Sequence, residues 1–363
     1  MERRAGAVDG LGVTRPGFWA GRRVLVTGHT GFKGAWLSLW LAREGAHVVG
    51  LSLPPESPDG AFAAFEPWSG VESHVADVRE AAAVRRVVAG AAPEVVFHLA
   101  AQSLVRRGWA DPAATYAVNV VGTAHVLDAV AHESQAGAVV VVTSDKVYAN
   151  AGLGEPFTED CPLGGADPYS ASKAAAELVV RAWRNGGRGI PVATVRAGNV
   201  VGGGDVATDR LLADAWRALS QGRDLVLRHP GATRPWQFVL DPLNGYLRVA
   251  ERLLTEPQAC PPAVNFGPSP AACWAVERVA EQALAAWGAG RWVAGPSDRS
   301  APEAHVLRLD ASLARRELGW EARLDVDEAI EWTVEWWRAA ASGRSLRKLA
   351  LAQIESYEEL LAC

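Results

Sequence analysis

Three stretches carry residue types that do chemistry together. The first is Tyr169-Ser170-Ala171-Ser172-Lys173. A tyrosine and a lysine at i and i+4 share one helix face. An ammonium beside a phenol lowers the phenol's pKa and favours a tyrosinate that takes a proton from a hydroxyl group. The second is Thr143-Ser144-Asp145-Lys146, with Ser144 lying 25 residues before Tyr169. It sets a hydroxyl, a carboxyl and a second amine side by side. The third is Gly28-His29-Thr30-Gly31-Phe32-Lys33-Gly34. Its glycines let main chain approach a pyrophosphate, and the N–H groups opening the next helix offer that group partial positive charge. The spacing is G-x-x-G-x-x-G rather than G-x-G-x-x-G, so a simple tight turn is the plain alternative.

The hydrophobic pattern supplies the elements that must position these groups. Val24-Leu25-Val26 reads as a strand into the glycine turn, and Trp36, Leu37, Leu39, Trp40 and Leu41 mark the helix after it. Further strands are predicted over 46–53, 71–78, 93–98, 137–143 and 191–197, and helices over 79–92, 112–132 and 168–185. Several strands are apolar without alternation, as in a sheet covered on both faces. Strands alternating with helices imply a parallel sheet, and residues just past its strand ends, Ser144 to Lys146 among them, face the ligand crevice. After Gly198 the rhythm breaks, and Gly202-Gly203-Gly204 reads as a flexible passage. Helices over 208–221, 242–254, 274–287, 310–318, 326–341 and 346–360, with short strands near 225–229, 236–240, 264–267 and 305–309, predict a smaller mixed α/β lobe. The expected organisation is a lead-in over 1–20, a dinucleotide-binding domain over 21–200 to which later segments return, and a second lobe with C-terminal helices over 201–363.

Composition narrows the classes. The 363 residues are 49% hydrophobic and 21% charged, with a net charge of −5, which suits a globular chain and argues against nucleic-acid binding. No stretch is apolar enough to suggest a secretory signal or a membrane span. The four cysteines lack C-x-x-C spacing, which argues against a zinc site or a disulfide framework and fits a reducing cytoplasm.

Glycine turn, strand-end serine and Y-x-x-x-K, in this order, resemble the extended short-chain dehydrogenase/reductase family over nearly the whole chain. The resemblance implies a Rossmann-type doubly wound parallel sheet carrying NAD(P) and a smaller lobe holding a nucleotide-activated sugar. It assigns Gly28, Thr30, Gly31, Phe32 and Gly34 to the cofactor turn and Asp77-Val78 to the adenine. His98-Leu99-Ala100-Ala101 matches the H-L-A-A element, with Leu99, Ala100 and Ala101 toward the cofactor and His98 read as structural or cofactor-side. Ser144, Tyr169 and Lys173 match the catalytic serine, tyrosine and lysine. Residues 26–41, 143–150 (TSDKVYAN), 198–205 (GNVVGGGD), 233–247 (TRPWQFVLDPLNGYL) and 353–360 (QIESYEEL) resemble the CDP-glucose 4,6-dehydratase branch more closely. His29 and Lys33 belong to that branch-specific signature.

The chemistry implied by this branch follows. Tyr169, with Lys173 and Ser144, removes the sugar 4-hydroxyl proton while NAD takes the C4 hydride. The ketone acidifies C5, water leaves across C5/C6, and the hydride returns to C6. Asp145 is the acid for the departing hydroxyl. Lys146 is either the C5 base, which is favoured, or a charge stabilising the enolate. Arg210 and Arg234 hold the sugar diphosphate, because guanidinium forks match phosphate oxygens. Asn199 holds a phosphate or a ribose, Gln102 and Ser103 meet the sugar or the nicotinamide ribose, and Glu303 meets the nucleotide ribose. The second strand ends Leu51-Ser52-Leu53-Pro54, without the acid that usually holds the adenosine ribose. NAD rather than NADP is expected because the cycle needs only a resident oxidised cofactor. A homodimer or higher homo-oligomer is also implied. The alternatives are a nucleotide-sugar 4-epimerase or reductase, which needs no elimination pair, and a non-catalytic NAD(P)-binding sensor, which needs no Tyr/Lys pair.

Overall fold

The computed structural model describes residues 17–150, 154–187, 189–296 and 307–362. In chain order the first half runs β1 (Arg23–Thr27), α1 (Phe32–Arg43), β2 (His47–Ser52), α2 (Ala61–Ala64), β3 (Val71–Val75), α3 (Ala81–Ala91), β4 (Val95–His98), α4 (Val105–Ala110), α5 (Pro112–Tyr116), α6 (Gly122–Glu133), β5 (Ala138–Val142), α7 (Pro168–Asn185) and β6 (Val192–Ala197). The second half runs β7 (Val200–Val201), α8 (Leu211–Ser220), β8 (Leu225–Leu227), β9 (Thr233–Pro235), β10 (Gln237–Phe238), α9 (Leu240–Thr255), β11 (Ala263–Phe266), β12 (Cys273–Ala275), α10 (Val276–Trp287), β13 (Trp292–Ala294), α11 (Ser312–Leu318), α12 (Val326–Ala341) and α13 (Leu346–Ala362).

Seven parallel strands form the main sheet in the order β11-β6-β5-β4-β1-β2-β3. Strands β1, β2, β4, β5 and β6 feed both faces. In β1, Val24 and Val26 join the larger core with Trp36 of α1, Leu243 of α9 and Trp336 of α12. Leu25 joins the opposite core with Val84 of α3, Val126 of α6 and Val180 of α7. This is the Rossmann-type doubly wound architecture, and it explains why these strands do not alternate. The order reverses beside β1, where β2 lies on one side and β4 on the other, opening a crevice past their carboxyl ends.

Local signals set the helices that matter to the crevice. Pro168 takes the first turn of α7 and the Asp167 carboxylate accepts from Ser170 N at 3.0 Å. The span predicted as one helix over 112–132 is interrupted by a π-helical turn, Ala117–Val121. That turn brings the buried Asn119 toward the crevice, where its amide donates to Ser172 Oγ at 2.9 Å and Gln102 O at 3.0 Å. The strand predicted near residue 264 is the edge strand β11 of the main sheet. A buried ion pair braces β5, β6 and α7. Glu177 accepts from Arg196 Nε at 2.8 Å and from the hydroxyls of Thr143 and Thr194, each at 2.6 Å.

Gly202–Gly204 is no flexible passage. All three glycines are buried. Trp36 Nε1 donates to Gly203 O at 2.9 Å, and Ala61 N donates to Gly204 O at 3.0 Å. A Cβ on Gly203 would lie 2.1 Å from the Trp336 ring. Glycine serves here to let two indoles close on the backbone.

Candidate active site

The β1–α1 turn is built for close approach. Gly28 has φ +77°, and a Cβ there would lie 2.7 Å from Ala100 N. A Cβ on Gly34 would lie 2.1 Å from Gly28 O. Helix α1 starts behind Gly31 with no side-chain cap and no acid in its first turn, which leaves its first N–H groups for an anion. Thr30 pins the turn to the end of β2, pairing with Ser52 Oγ at 2.7 Å and donating to Leu53 O at 2.9 Å. His29 is buried, 2.7 Å from Ser73 Oγ and edge-on to Phe62. A Cβ on Gly50 would lie 2.3 Å from the His29 ring, so β2 carries glycine to admit it. Burial pushes the His29 pKa down to about 4, so the ring is a neutral strut near pH 7.

The neighbouring strand ends complete the cradle. Asp77 accepts from Arg79 Nε at 2.9 Å, and these bonds hold its pKa below the usual carboxylate value. Val78 packs on Gly122, where a Cβ would lie 2.7 Å from Val78 Cγ2. His98 lies 2.7 Å from Thr27 Oγ1 and 3.0 Å from Thr123 Oγ1, and burial drives its pKa to about 3. It is a structural tie. Half-buried Leu99, Ala100 and Ala101 follow it along the crevice.

The reactive groups gather beyond β5. Ser144 caps a single 3₁₀ turn, Asp145–Val147, accepting from Lys146 N at 3.2 Å. Its hydroxyl donates to Asp145 Oδ1 at 2.9 Å. Asp145 is buried, and its Oδ2 has no hydrogen-bond partner among the described residues. Only glycine fits at 198, since a Cβ there would lie 1.8 Å from that oxygen. Tyr169 and Lys173 sit side by side on the first turns of α7, both buried. The half-buried Lys146 amine makes no hydrogen bond or ion pair among the described residues.

One expectation is reversed. The Tyr169 pKa is raised rather than lowered, because burial outweighs the hydrogen bond with Ser144 and the charge of Arg210. The Lys173 amine donates to Val142 O at 3.0 Å. Burial and then the charge of Lys33 push the Lys173 pKa down to about 7, so near neutrality it carries only part of a charge.

The second half of the chain closes the cleft. Arg210 precedes α8, half-buried, and its charge acts on Lys33, Tyr169 and Asp205. Asn199 has φ +45° between β6 and β7, with its carbonyl accepting from Gln237 N. Arg234 is buried on β9 opposite Trp274, donating to Thr233 O at 2.9 Å. Gln102 does not offer its side chain to a ligand as expected. Its amide donates to Leu104 O and Thr115 Oγ1, both at 3.0 Å, and its Oε1 accepts from Leu104 N, because the turn before α4 uses it as a brace. Ser103 is exposed beside it. Glu303 lies outside the described residues. The sequence reading missed Lys33, Asp205 and Tyr246 as cleft residues. All three lie in stretches that carry the family resemblance, Lys33 within the glycine turn itself.

These residues fit a dinucleotide: glycines with no room for a Cβ, an uncapped helix start, and a carboxyl at the end of β3. The model of the family described as "NAD dependent epimerase/dehydratase family" matches residues 24–265. A relative from Salmonella typhimurium, a CDP-glucose 4,6-dehydratase, is 41% identical over 94% of this chain and 97% of its own. An epimerase structure from Methanothermobacter thermautotrophicus superposes with a TM-score of 0.80 at 25% identity, covering 92% of this chain and 96% of that one. The structure of an NAD dependent NDP-hexosamine 5,6-dehydratase of tunicamycin biosynthesis gives 0.74 at 27%, covering 88% and 98%. The chain belongs to the NAD dependent epimerase/dehydratase family, and NAD is its cofactor.

Proposed function

We propose that the protein is a hydro-lyase, a nucleotide-sugar 4,6-dehydratase that converts CDP-glucose to CDP-4-keto-6-deoxyglucose. The observation that carries this reading is the buried Asp145 carboxyl, hydrogen-bonded to Ser144 in the crevice that holds Tyr169. An epimerase or reductase has no use for such an acid. Similarity to the Salmonella typhimurium dehydratase supports the nucleotide and the sugar.

Gly28, Gly31, Gly34 and Asp77-Val78 would hold NAD, which would supply reversible hydride storage between C4 and C6. The protein's own groups manage protons. Tyr169 is a neutral phenol at rest, in keeping with its raised pKa. It takes the 4-hydroxyl proton while passing its own to Ser144, and the Ser144 hydroxyl, already directed at Asp145, hands a proton to that carboxylate. Asp145 thereby becomes the acid that protonates the departing 6-hydroxyl. One proton travels from O4 to water, and all three groups return to their starting state. Lys146 takes the C5 proton and returns it to C5 after elimination. Arg210 and Arg234 bind the diphosphate, Asn199 a phosphate or ribose, Ser103 the sugar side, and the segments of 201–363 that do not return to the main sheet form the substrate lobe.

The expected setting is the cytoplasm, with a homodimer as the working form; no described helix is long and apolar enough to cross a membrane. Purified protein with NAD and CDP-glucose should form a 4-keto sugar, read by its absorbance in alkali. No product across CDP-, dTDP- and GDP-hexoses sinks the dehydratase reading.

A further inference from the structure

No described side chain holds Lys146. It sits on the single 3₁₀ turn Asp145–Val147, which belongs to neither helix nor sheet. Asp145 beside it is tied by its own bond with Ser144 and walled by Gly198. The Lys146 amine makes no hydrogen bond or ion pair among the described residues, so its place is set by the main chain on either side. Ser144 caps the start of that turn, and Tyr148 closes its end.

Tyr148 is buried and bonded on every side. Its phenol donates to Asn265 Oδ1 at 2.6 Å and accepts from Arg196 Nη1 at 2.8 Å. Burial raises its pKa, so the phenol keeps the proton that Asn265 accepts. Its ring lies 4.8 Å from that of Phe157, with the two planes 3° apart, and the Arg196 guanidinium lies 5.0 Å from the ring centre. Arg196 of β6 leads on to Glu177 and so to α7, the helix of Tyr169 and Lys173. Asn265 of β11 is buried as well, and its amide donates to Phe157 O at 2.9 Å and to Asp310 O at 3.3 Å. Backbone bonds complete the frame, Gly164 N donating to Val147 O at 2.8 Å and Ala149 N to Pro162 O at 2.9 Å. One phenol oxygen thereby joins β6 and β11 to the turn. Without that oxygen, the buried Asn265 Oδ1 has no donor, and a buried network that loses one member loosens around it.

We propose that Tyr148 is a positioning residue for Lys146: held to β6 and β11 through its hydroxyl, it fixes the end of the 3₁₀ turn and with it the reach of the Lys146 amine toward C5 of the sugar. The inference rests on the dehydratase reading for the task of Lys146. Within that reading, the two halves of the reaction depend on Tyr148 differently. Oxidation at C4 uses Tyr169, Ser144 and Asp145, which are linked to one another. Proton removal at C5 uses Lys146, which only the main chain holds. A misplacement of about 1 Å is enough to cost about 10²-fold in such a step.

Hydrogen exchange of the cofactor-free protein reads the turn with no substrate present. In Tyr148→Phe the amides of 146–149 should exchange roughly tenfold faster, as for loss of one buried hydrogen bond, while those of 172–185 in α7 stay within about twofold. Phe157→Leu, which keeps the phenol and removes the stacked ring, should loosen the same amides. With NAD and CDP-glucose, Tyr148→Phe should form NADH in the first turnover within about threefold of the natural rate. Exchange of the sugar C5 hydrogen with deuterated water, and keto-sugar formation, should fall at least about tenfold. In a Lys146→Met background, Tyr148→Phe should slow C5 exchange no further, because its effect runs through that amine. Unchanged exchange at 146–149 overturns the proposal, as does equal slowing of NADH formation and C5 exchange, or a further loss in the Lys146→Met background. Absence of product from the natural protein overturns only the dehydratase reading, and hydrogen exchange then decides whether Tyr148 fixes the turn.

Discussion

Ser144 carries more of the proposed mechanism than its size suggests. Its oxygen stands between the Tyr169 phenol and the Asp145 carboxylate, and its hydrogen already points at Oδ1. Ser144→Ala should cost roughly 10²–10⁴ in kcat, the usual worth of positioned proton transfer, while Ser144→Thr should keep a hydroxyl there and retain most activity. Equal loss in both variants, measured as keto-sugar formation, would count against the relay. That Ser144, Asp145, Tyr169 and Lys173 lie close together was legible in the chain. Their electrostatics were not. Tyr169 and Lys173 look like a self-contained pair in the chain, but Lys33 lies 140 residues before Lys173 and Arg210 lies 37 after it. Only folding shows that both reach the same water-poor space.

Among elements, the glycine turn is the most constrained. Gly34→Ala would drive a methyl into Gly28 O, and Gly28→Ala would add a strained left-handed backbone to a clash with Ala100. Both variants should bind NAD at least about 100-fold more weakly by calorimetry, since the cradle must open to admit the methyl. Unchanged affinity would mean that the turn is not the cofactor site. A second brace is the Glu177–Arg196 pair under β5 and β6. Glu177→Ala strands a buried guanidinium and two hydroxyls, and should lower unfolding free energy by roughly 3–5 kcal/mol in urea titration. Strands and long helices were legible because apolar runs and capping residues are local signals. Helix α7 begins at Pro168 and α12 at the Asp325/Glu328 capping box, where the pattern placed them. The short strands β9 and β12 were not legible as a pair, because three-residue strands carry no period and their partners are distant. The π turn at Ala117–Val121 leaves the helical pattern intact and so left no trace in it.

For the molecule as a whole, pH should act through one buried carboxyl. Asp241 on α9 is fully buried, accepting from Tyr357 Oη of α13 and from Arg323 N, both at 2.8 Å. Burial raises its pKa to about 7. A carboxyl raised on folding favours the native state below its unfolded value near 4, and that contribution fades as pH climbs through 7. The difference amounts to about 4 kcal/mol between the two limits. Thermal denaturation from pH 5 to pH 8 should therefore show falling stability from this group, and Asp241→Asn should flatten the slope. A variant with the same slope as the natural protein would remove Asp241 as its source. His29 works in the opposite direction. Its depressed pKa contributes stability above about 6.5 that is lost as pH falls toward 4. Below about pH 6.5 the two slopes oppose each other and largely cancel, leaving Asp241 to set the fall between about 6.5 and 7.

The clasp of Trp36 and Trp336 over Gly203 has a consequence for how this sequence can drift. Gly203 and Trp336 lie 133 positions apart, yet the ring occupies the space that any side chain at 203 would need. Neither position can change alone without leaving a clash or a void. In a collection of descendants of this chain, the two should vary as a pair, a smaller residue at 336 accompanying any residue larger than glycine at 203. The statistical shadow of that contact would then be visible in the sequences themselves, with no structure needed to find it.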